Sequence, residues 1–317
     1  MAGYLIRRFG TAIVIVLGVT LLTFAMLHIV APANAAALAT LGPKATPAAI
    51  KAYDHANGFD RPLIEQYLTY LNRLLHGNLG WSYHFNQSVT ALLGEKAPLS
   101  AFLSGSSLVL AVVIAIPLGI YQAIRRNTFG DITATSVTFV LYSMPVFFFA
   151  IILIQLFALT FNWVDPGVGQ DQSLTAALGN IKDLILPIVA LSSTAVAGYS
   201  RYQRSSSLDV LAQDYIKVVR AKGLSERLVL GRHLVRNACL PMITLVGISL
   251  PALIGGNLLI EFAFNINGLG LLFINGLQVD DYNIVLAYTL LGAVFTVVGN
   301  LIADIALSVA DPRIRLV

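Results

Sequence analysis

Apolar residues run almost unbroken through six stretches, about Phe9–Ala31, Ser100–Ile124, Thr133–Phe161, Leu184–Ser200, Met242–Phe264 and Ile284–Ala310. A hydrocarbon layer about 30 Å thick takes roughly 20 mostly apolar residues of helix, and these runs are of that order. Leu184–Ser200 is the shortest of them. Ten-residue segments that alternate polar and apolar positions do not recur, which sets aside a membrane β-barrel. Hydrophobic residues make up 57% of the chain and charged ones 11%, with a mean hydropathy of +0.77, values foreign to a soluble domain. The pattern predicts an all-α integral membrane protein of six transmembrane helices. Pro117, Pro145, Pro187 and Pro251 fall inside these runs, where neighbouring groups must satisfy the freed backbone. Small residues crowd the last two, for instance Gly255-Gly256, Gly292, Gly299 and Ala303, and suit close helix packing.

Between the first two runs, Pro32–Ala97 reads as a small helical subdomain. Thr46-Pro47 is an N-cap followed by a proline at the first helical position, and Gly58 is the stop. A second helix should begin near Pro62 and end at Gly77, with Ile64, Tyr67, Leu68, Leu71, Leu74 and Leu75 on one face. Leu79-Gly80-Trp81-Ser82-Tyr83 then turns back toward the membrane. Its aromatic residues suit the lipid interface or direct contact with a ligand. The domain plan is thus residues 1–31 for the first helix, 32–97 for the subdomain and 98–317 for a five-helix core.

Charge sets the topology. An even number of spans leaves both termini on one side, and of the 20 Lys and Arg, fourteen fall there and six opposite. Eight of the fourteen lie in one loop: Arg201, Arg204, Lys217, Arg220, Lys222, Arg227, Arg232 and Arg236. The positive-inside bias places both termini and this loop in the cytoplasm, and it accounts for the cations without nucleic acid. Arg7 and Arg8 ahead of an apolar run could also open a signal peptide, but Phe9–Ala31 is long for an h-region. The lone Cys239 excludes an intrachain disulfide and a CxxC motif.

Catalytic signals are missing. No Gly-Lys pair occurs, so the phosphate loop GxxxxGK[ST] is absent, as are HExxH and GxSxG. His28, His55, His76, His84 and His233 show no metal-ligand spacing. The sequence therefore offers no catalytic, cofactor or metal residues, and ATP-driven work would need another polypeptide. Ionisable groups in spans are candidates for function. His28, Glu261 and Asp304 lie near span ends, and read as inter-helix contacts or a polar pathway rather than a proton relay. Phe264-Asn265-Ile266-Asn267-Gly268-Leu269-Gly270 is a glycine-punctuated turn, either a tight re-entrant connection or a gate.

The strongest signal is the basic loop, about 208–241. Leu211, Tyr215, Val218 and Val219 form an apolar stripe, while Lys217, Arg220 and Lys222 face water. Gly223 suits the left-handed residue that ends a helix, and Leu224 the hydrophobic contact beyond it. Ser225 would cap a second helix anchored by Leu228, Val229 and Leu234. Such a segment is either a rigid lever for a soluble partner or an amphipathic helix lying on anionic lipid.

Here the chain resembles the permease subunits of bacterial ABC importers, and among them the dipeptide, oligopeptide and nickel group of the DppB/OppB type. The matching residues are Asp214-Tyr215-Ile216, Arg220-Ala221-Lys222-Gly223-Leu224-Ser225-Glu226 and Arg236-Asn237-Ala238 before Pro241. Lys217-Val218-Val219 stands where the general importer motif has Glu-Ala-Ala, so no glutamate role is carried over. Further matches are Tyr4-Leu5-Ile6-Arg7-Arg8, Gly58-Phe59-Asp60-Arg61-Pro62, Gly77 to Ser82, Glu261 with Phe264 and Gly268-Leu269-Gly270, Asp281-Tyr282, and Asp311 to Arg315. Asn267 departs where a proline is common.

The resemblance implies a type I ABC importer permease fold in the bacterial inner membrane. It implies a second homologous permease subunit, two ATP-binding subunits that hydrolyse ATP with Mg, and an extracytoplasmic binding protein that delivers di- or oligopeptides. On that reading residues 214–226, with Arg236 and Asn237, meet the ATPases. Glu261, Phe264, Gly268 and Gly270 belong to an outer gate or path, and Arg61, Tyr67, Trp81 and Tyr83 face the binding protein. Nickel chelates or another small solute are alternative cargoes, and a self-contained secondary carrier or channel is the alternative function.

Overall fold

A computed structural model describes residues 2–30, 34–42, 44–82, 84–164, 173–249 and 257–310. In chain order the helices are α1 (Ala2–Val30), α2 (Ala35–Leu41), α3 (Pro47–Asn57) and α4 (Leu63–Leu75). A short antiparallel hairpin of β1 (Trp81–Ser82) and β2 (Gln87–Ser88) pairs Trp81 with Ser88. Then come α5 (Val89–Ile124), α6 (Phe129–Ser143), α7 (Val146–Leu153, continued by π-turns to Thr160), α8 (Leu174–Gly179) and α9 (Ile181–Ala212). The last third holds α10 (Asp214–Ala221), α11 (Glu226–Leu228, continued by π-turns to Leu234), α12 (Val235–Ala238), α13 (Leu240–Ser249), α14 (Leu258–Ala263), α15 (Leu269–Gln278) and α16 (Tyr282–Ala310).

Among the described residues α1, α5, α9 and α16 are long and apolar enough to cross a membrane, and the α6–α7 pair makes a fifth if taken as one span. This departs from six uninterrupted helices in two places. The expected third span, Thr133–Phe161, is two helices bent by 106°. Pro145 is the cause: its ring pushes Met144 out of the helical region (φ −83°, ψ 130°). The expected fifth, Met242–Phe264, is described only as α13 and α14, and Pro251 with Gly255-Gly256 lies outside the described residues.

Other bounds shift outward. α5 starts at Val89 and runs straight through residues 97 and 98, where the sequence places a domain boundary. Ser88 caps it by accepting the Ala91 N–H at 3.3 Å. α9 extends to Ala212, so residue 208 belongs to a helix rather than a loop. α5 and α9 are the central pair and approach closely at Gly119, where a Cβ would sit 2.5 Å from the Ser200 carbonyl. Buried serines lie along both helices, among them Ser100, Ser104 and Ser107 on α5 and Ser192 and Ser200 on α9. Around it lies a core of Leu99, Leu103, Leu184, Ile260, Phe264 and Ile266.

In the 44–82 segment the local signals hold. Thr46 accepts the Ala49 N–H at 3.3 Å and Pro47 opens α3, which ends at Gly58 with φ +74°. α4 ends with the Asn78 N–H on the Arg73 carbonyl and Gly77 at φ +72°.

Candidate functional site

α9 delivers the chain into an elbow. Gln213 is extended (φ −71°, ψ 145°), which ends α9 and starts α10. Gly223, at φ +78°, turns the chain after α10, and its N–H reaches the Arg220 carbonyl at 2.9 Å. Across the turn Arg220 clasps Glu226 with both ends of its guanidinium, at 2.8 and 3.2 Å.

Beneath the clasp Ile216, Val229, Leu234 and Ala238 pack against Val210 of α9, with Leu224 folding onto them. Most of the expected stripe meets this core: Leu211, Tyr215 and Val219 pack against it. Ile216 is fully buried beside them, whereas Val218 is 52% and Leu228 43% exposed. α10 is thus seated on side chains from 229–238. Ser225 sits at the start of α11 in extended backbone, but its side chain makes no capping bond; its carbonyl accepts from Leu228 and Val229 instead.

Polar bonds lock the two arms together. Asn237 Nδ2 donates to the Tyr215 hydroxyl at 3.0 Å and to the His233 carbonyl at 2.8 Å, and Tyr215 itself donates to that carbonyl at 3.4 Å. Ser206 of α9 donates to the Ala238 carbonyl at 2.9 Å. Asp214, Lys217, Arg220, Ala221, Lys222, Ser225, Glu226 and Arg236 remain exposed. The elbow is therefore a cross-braced, cationic surface with Val218 and Leu228 exposed in it.

Sequence reasoning missed a neighbour of this elbow. Asp131, near the start of α6, receives Arg204 of α9 at 3.1 and 2.8 Å, with the carboxylate only 4% exposed. The Asn127 N–H (2.9 Å) and the Thr135 hydroxyl (3.3 Å) complete its shell. In the sequence Arg204 is one of the topological cations, and the signal for its partner is an acidic residue, Asp131, at the mouth of an apolar run.

Glu261, Phe264, Gly268 and Gly270 are brought together, and all are buried. The Glu261 carboxylate accepts the Gly270 and Leu271 N–H groups at 2.6 and 3.3 Å, and Ser100 accepts that of Leu269 at 2.8 Å. These are the first donors of α15, which have no partner within the helix. Ser100 in turn donates to Glu261 at 2.7 Å, joining α5, α14 and α15. A Cβ at Gly268 would collide with that carboxylate, and one at Gly270 would lie 2.5 Å from the Leu258 backbone. Glu261, Gly268 and Gly270 with Ser100 form a closed pin at the start of α15, and Phe264 belongs to the adjoining hydrophobic core.

The 61–83 residues are divided. Tyr67 is engaged by α1, its hydroxyl 3.0 Å from Thr20, while Tyr70 lies 3.3 Å from Thr23 and Gln66 3.0 Å from His28. Arg61 stands exposed and Trp81 is 45% exposed, its carbonyl held by Asn283 at 2.9 Å. Tyr83, the 311–315 match and the Asp304 side chain lie outside the described residues. Among the described residues no three His, Cys, Asp or Glu side chains gather to hold a metal ion.

The chain matches known proteins along nearly all of its length. Residues 115–316 match the family model of the binding-protein-dependent transport system inner membrane component, and residues 1–104 the N-terminal model of such membrane components. The oligopeptide transport system permease protein AppB of Bacillus subtilis is 37% identical over 99% of this chain and 100% of its own. The dipeptide transport system permease protein DppB of Lactococcus lactis is 32% identical over the whole of both chains, and DppB of Escherichia coli K12 is 32% identical over 99% of each. The solved MetNI methionine ABC transporter, in an inward-facing conformation, shares the fold at a TM-score of 0.51 and 17% identity, covering 68% of this chain and 96% of that one. Matched along nearly its full length, the chain belongs to the inner membrane components of binding-protein-dependent transport systems.

Proposed function

We propose that this chain is the membrane subunit of an ATP-driven importer of di- or oligopeptides. It forms half of the path, and a second homologous permease subunit forms the other half. Two ATP-binding subunits, which bind and hydrolyse ATP with Mg, press on the elbow from the cytoplasm, where both termini also lie. An extracytoplasmic binding protein delivers the peptide, with Arg61 and Trp81 available to meet it. The peptide assignment draws on relatives named for oligopeptide and dipeptide transport.

The observation that carries the coupling role is the set of bonds and packed side chains that ties the elbow to α9. Tyr215–Asn237, Arg220–Glu226 and the core at Ile216 support a reading in which residues 214–238 follow the end of α9 as one body. Force on Val218 and the surrounding cations then turns α9, and Asp131–Arg204 passes that turn to α6. ATPase closure shifts the access state only by as much as it binds one state more tightly than the other. Reversing a 1:99 population takes about 5.5 kcal/mol of such preference, which a floppy contact would dissipate. Reconstitution with candidate ATPases, second permease and binding protein, reading peptide-stimulated ATP hydrolysis, tests this reading. A purified chain that moves solute unaided would mark a secondary carrier instead.

A further inference from the structure

α4 presents three faces. Tyr67 and Tyr70 turn to α1, where their hydroxyls lie 3.0 Å from Thr20 and 3.3 Å from Thr23. Both rings pack near Phe24, at centroid distances of 5.3 and 5.8 Å. Glu65, Thr69 and Asn72 share a polar, exposed face. Between the two runs an apolar stripe of Ile64, Leu68, Leu71 and Leu75, spaced three and four apart. Among the described residues nothing buries it: Ile64 is 75%, Leu68 58% and Leu75 85% exposed.

The level of the stripe follows from its neighbour. α1 holds the apolar span Arg7–Ile29, and only 11% of its most apolar stretch is buried. Thr20 lies thirteen residues past Arg7 and nine short of Ile29, about 20 and 14 Å away at 1.5 Å per residue. Tyr67 therefore bonds well inside the span and not at its rim. At that level α1 exposes Leu21 and Leu22, at 54 and 65%. What surrounds α1 there also surrounds α4. A tyrosine hydroxyl in an apolar medium needs a partner, and Thr20 and Thr23 supply one each.

We propose that α4 is seated in the bilayer beside α1, in the leaflet on the Ile29 side, with Ile64, Leu68, Leu71 and Leu75 among acyl chains. Glu65, Thr69 and Asn72 turn toward headgroups and water, as the polar face of an interfacial helix does. The segment between the first two spans is then anchored in lipid through α4 and does not stand wholly in water. A soluble partner docked outside would have to reach the depth of Thr20 to cover the stripe. The lipid seat requires no transport activity, so its failure would leave the importer reading untouched.

Single cysteines in the full chain, with Cys239→Ala as background, test this in nanodiscs of phosphatidylglycerol and phosphatidylethanolamine, which open both membrane faces to reagents. Ile64→Cys, Leu68→Cys and Leu75→Cys are compared with Glu65→Cys, Thr69→Cys and Asn72→Cys. The thiolate is the reacting form and is disfavoured in apolar surroundings, so a membrane-impermeant maleimide should label the stripe at least about tenfold more slowly. Spin labels on the stripe should be relaxed by oxygen, which dissolves among acyl chains, more than by water-soluble chromium oxalate. On the polar face the order should reverse. All six positions are read separately, so one variant that fails to fold leaves the others to decide. Equal labelling of the two faces would put the stripe in water and overturn the proposal. Slow labelling with shielding from both oxygen and chromium oxalate would put a protein surface on the stripe, which refutes it as well.

Discussion

Arg204 meets Asp131 through two hydrogen bonds, at 3.1 and 2.8 Å, across 73 residues of sequence. The pair joins α6 to the helix that carries the elbow. Removing Arg204 alone strands a carboxylate that is 4% exposed. Loss of one partner of a buried pair costs about 3–5 kcal/mol, and the 27% exposure of Arg204 puts Arg204→Met near the lower end. Asp131→Leu together with Arg204→Met should recover most of that loss. Thermal unfolding of the four proteins in one detergent checks this, and equal destabilisation in the single and double variants would contradict it.

The Glu261 pin makes a prediction confined to one helix. Glu261→Leu orphans the Gly270 and Leu271 N–H groups, each worth about 1–3 kcal/mol when buried without a partner. Gly270→Ala forces a methyl against the Leu258 backbone, at about 1–3 kcal/mol. Hydrogen exchange should speed up across Leu269–Gln278 in both variants while the elbow stays protected. Uniform exchange changes throughout the chain would count against a local pin.

At the elbow, burial decides which side chain matters. Ile216→Ala should cost about 2–5 kcal/mol of local stability, because it empties a fully buried site. Val218→Ala, at an exposed site, should stay within about 0.5 kcal/mol in the isolated chain. Limited proteolysis near Gly223 separates them: only the first variant should become cleavable.

Much of this was written locally in the sequence. Thr46, Pro47 and Gly58 bounded α3, and Gly223 marked the turn, because caps and left-handed residues act within a few positions. The break at Met144-Pro145 was not legible, since apolar residues continue on both sides of it. Pro98, Pro117 and Pro187 all sit inside unbroken helices, so a proline by itself does not announce a bend. On α10 the apolar face was largely legible, since Tyr215 and Val219 do pack on the core; that Ile216 rather than Val218 is buried follows from Val229, Leu234 and Ala238, which lie far along the chain. The Asp131–Arg204 pair and the Ser100–Glu261 bond join partners far apart in the chain, beyond any periodicity.

The clasp offers a test by exchange. Arg220→Glu alone sets like charges together across Gly223, while adding Glu226→Arg restores an ion pair of opposite sense. An exposed pair contributes only about 0.2–1 kcal/mol, so stability should hardly move in either. Peptide-driven ATP hydrolysis should fall in the single variant. Recovery in the double variant assigns the role to the clasp, and persistent loss assigns it to contact of Arg220 with the ATPase.

The most direct measurement is peptide uptake by the reconstituted complex carrying Gly223→Pro, with assembly checked by copurification. Gly223 holds φ +78°, which proline cannot adopt. The expected result is an assembled complex that hydrolyses ATP but no longer accumulates peptide in step with it. Wild-type uptake per ATP in that variant would contradict coupling through the elbow.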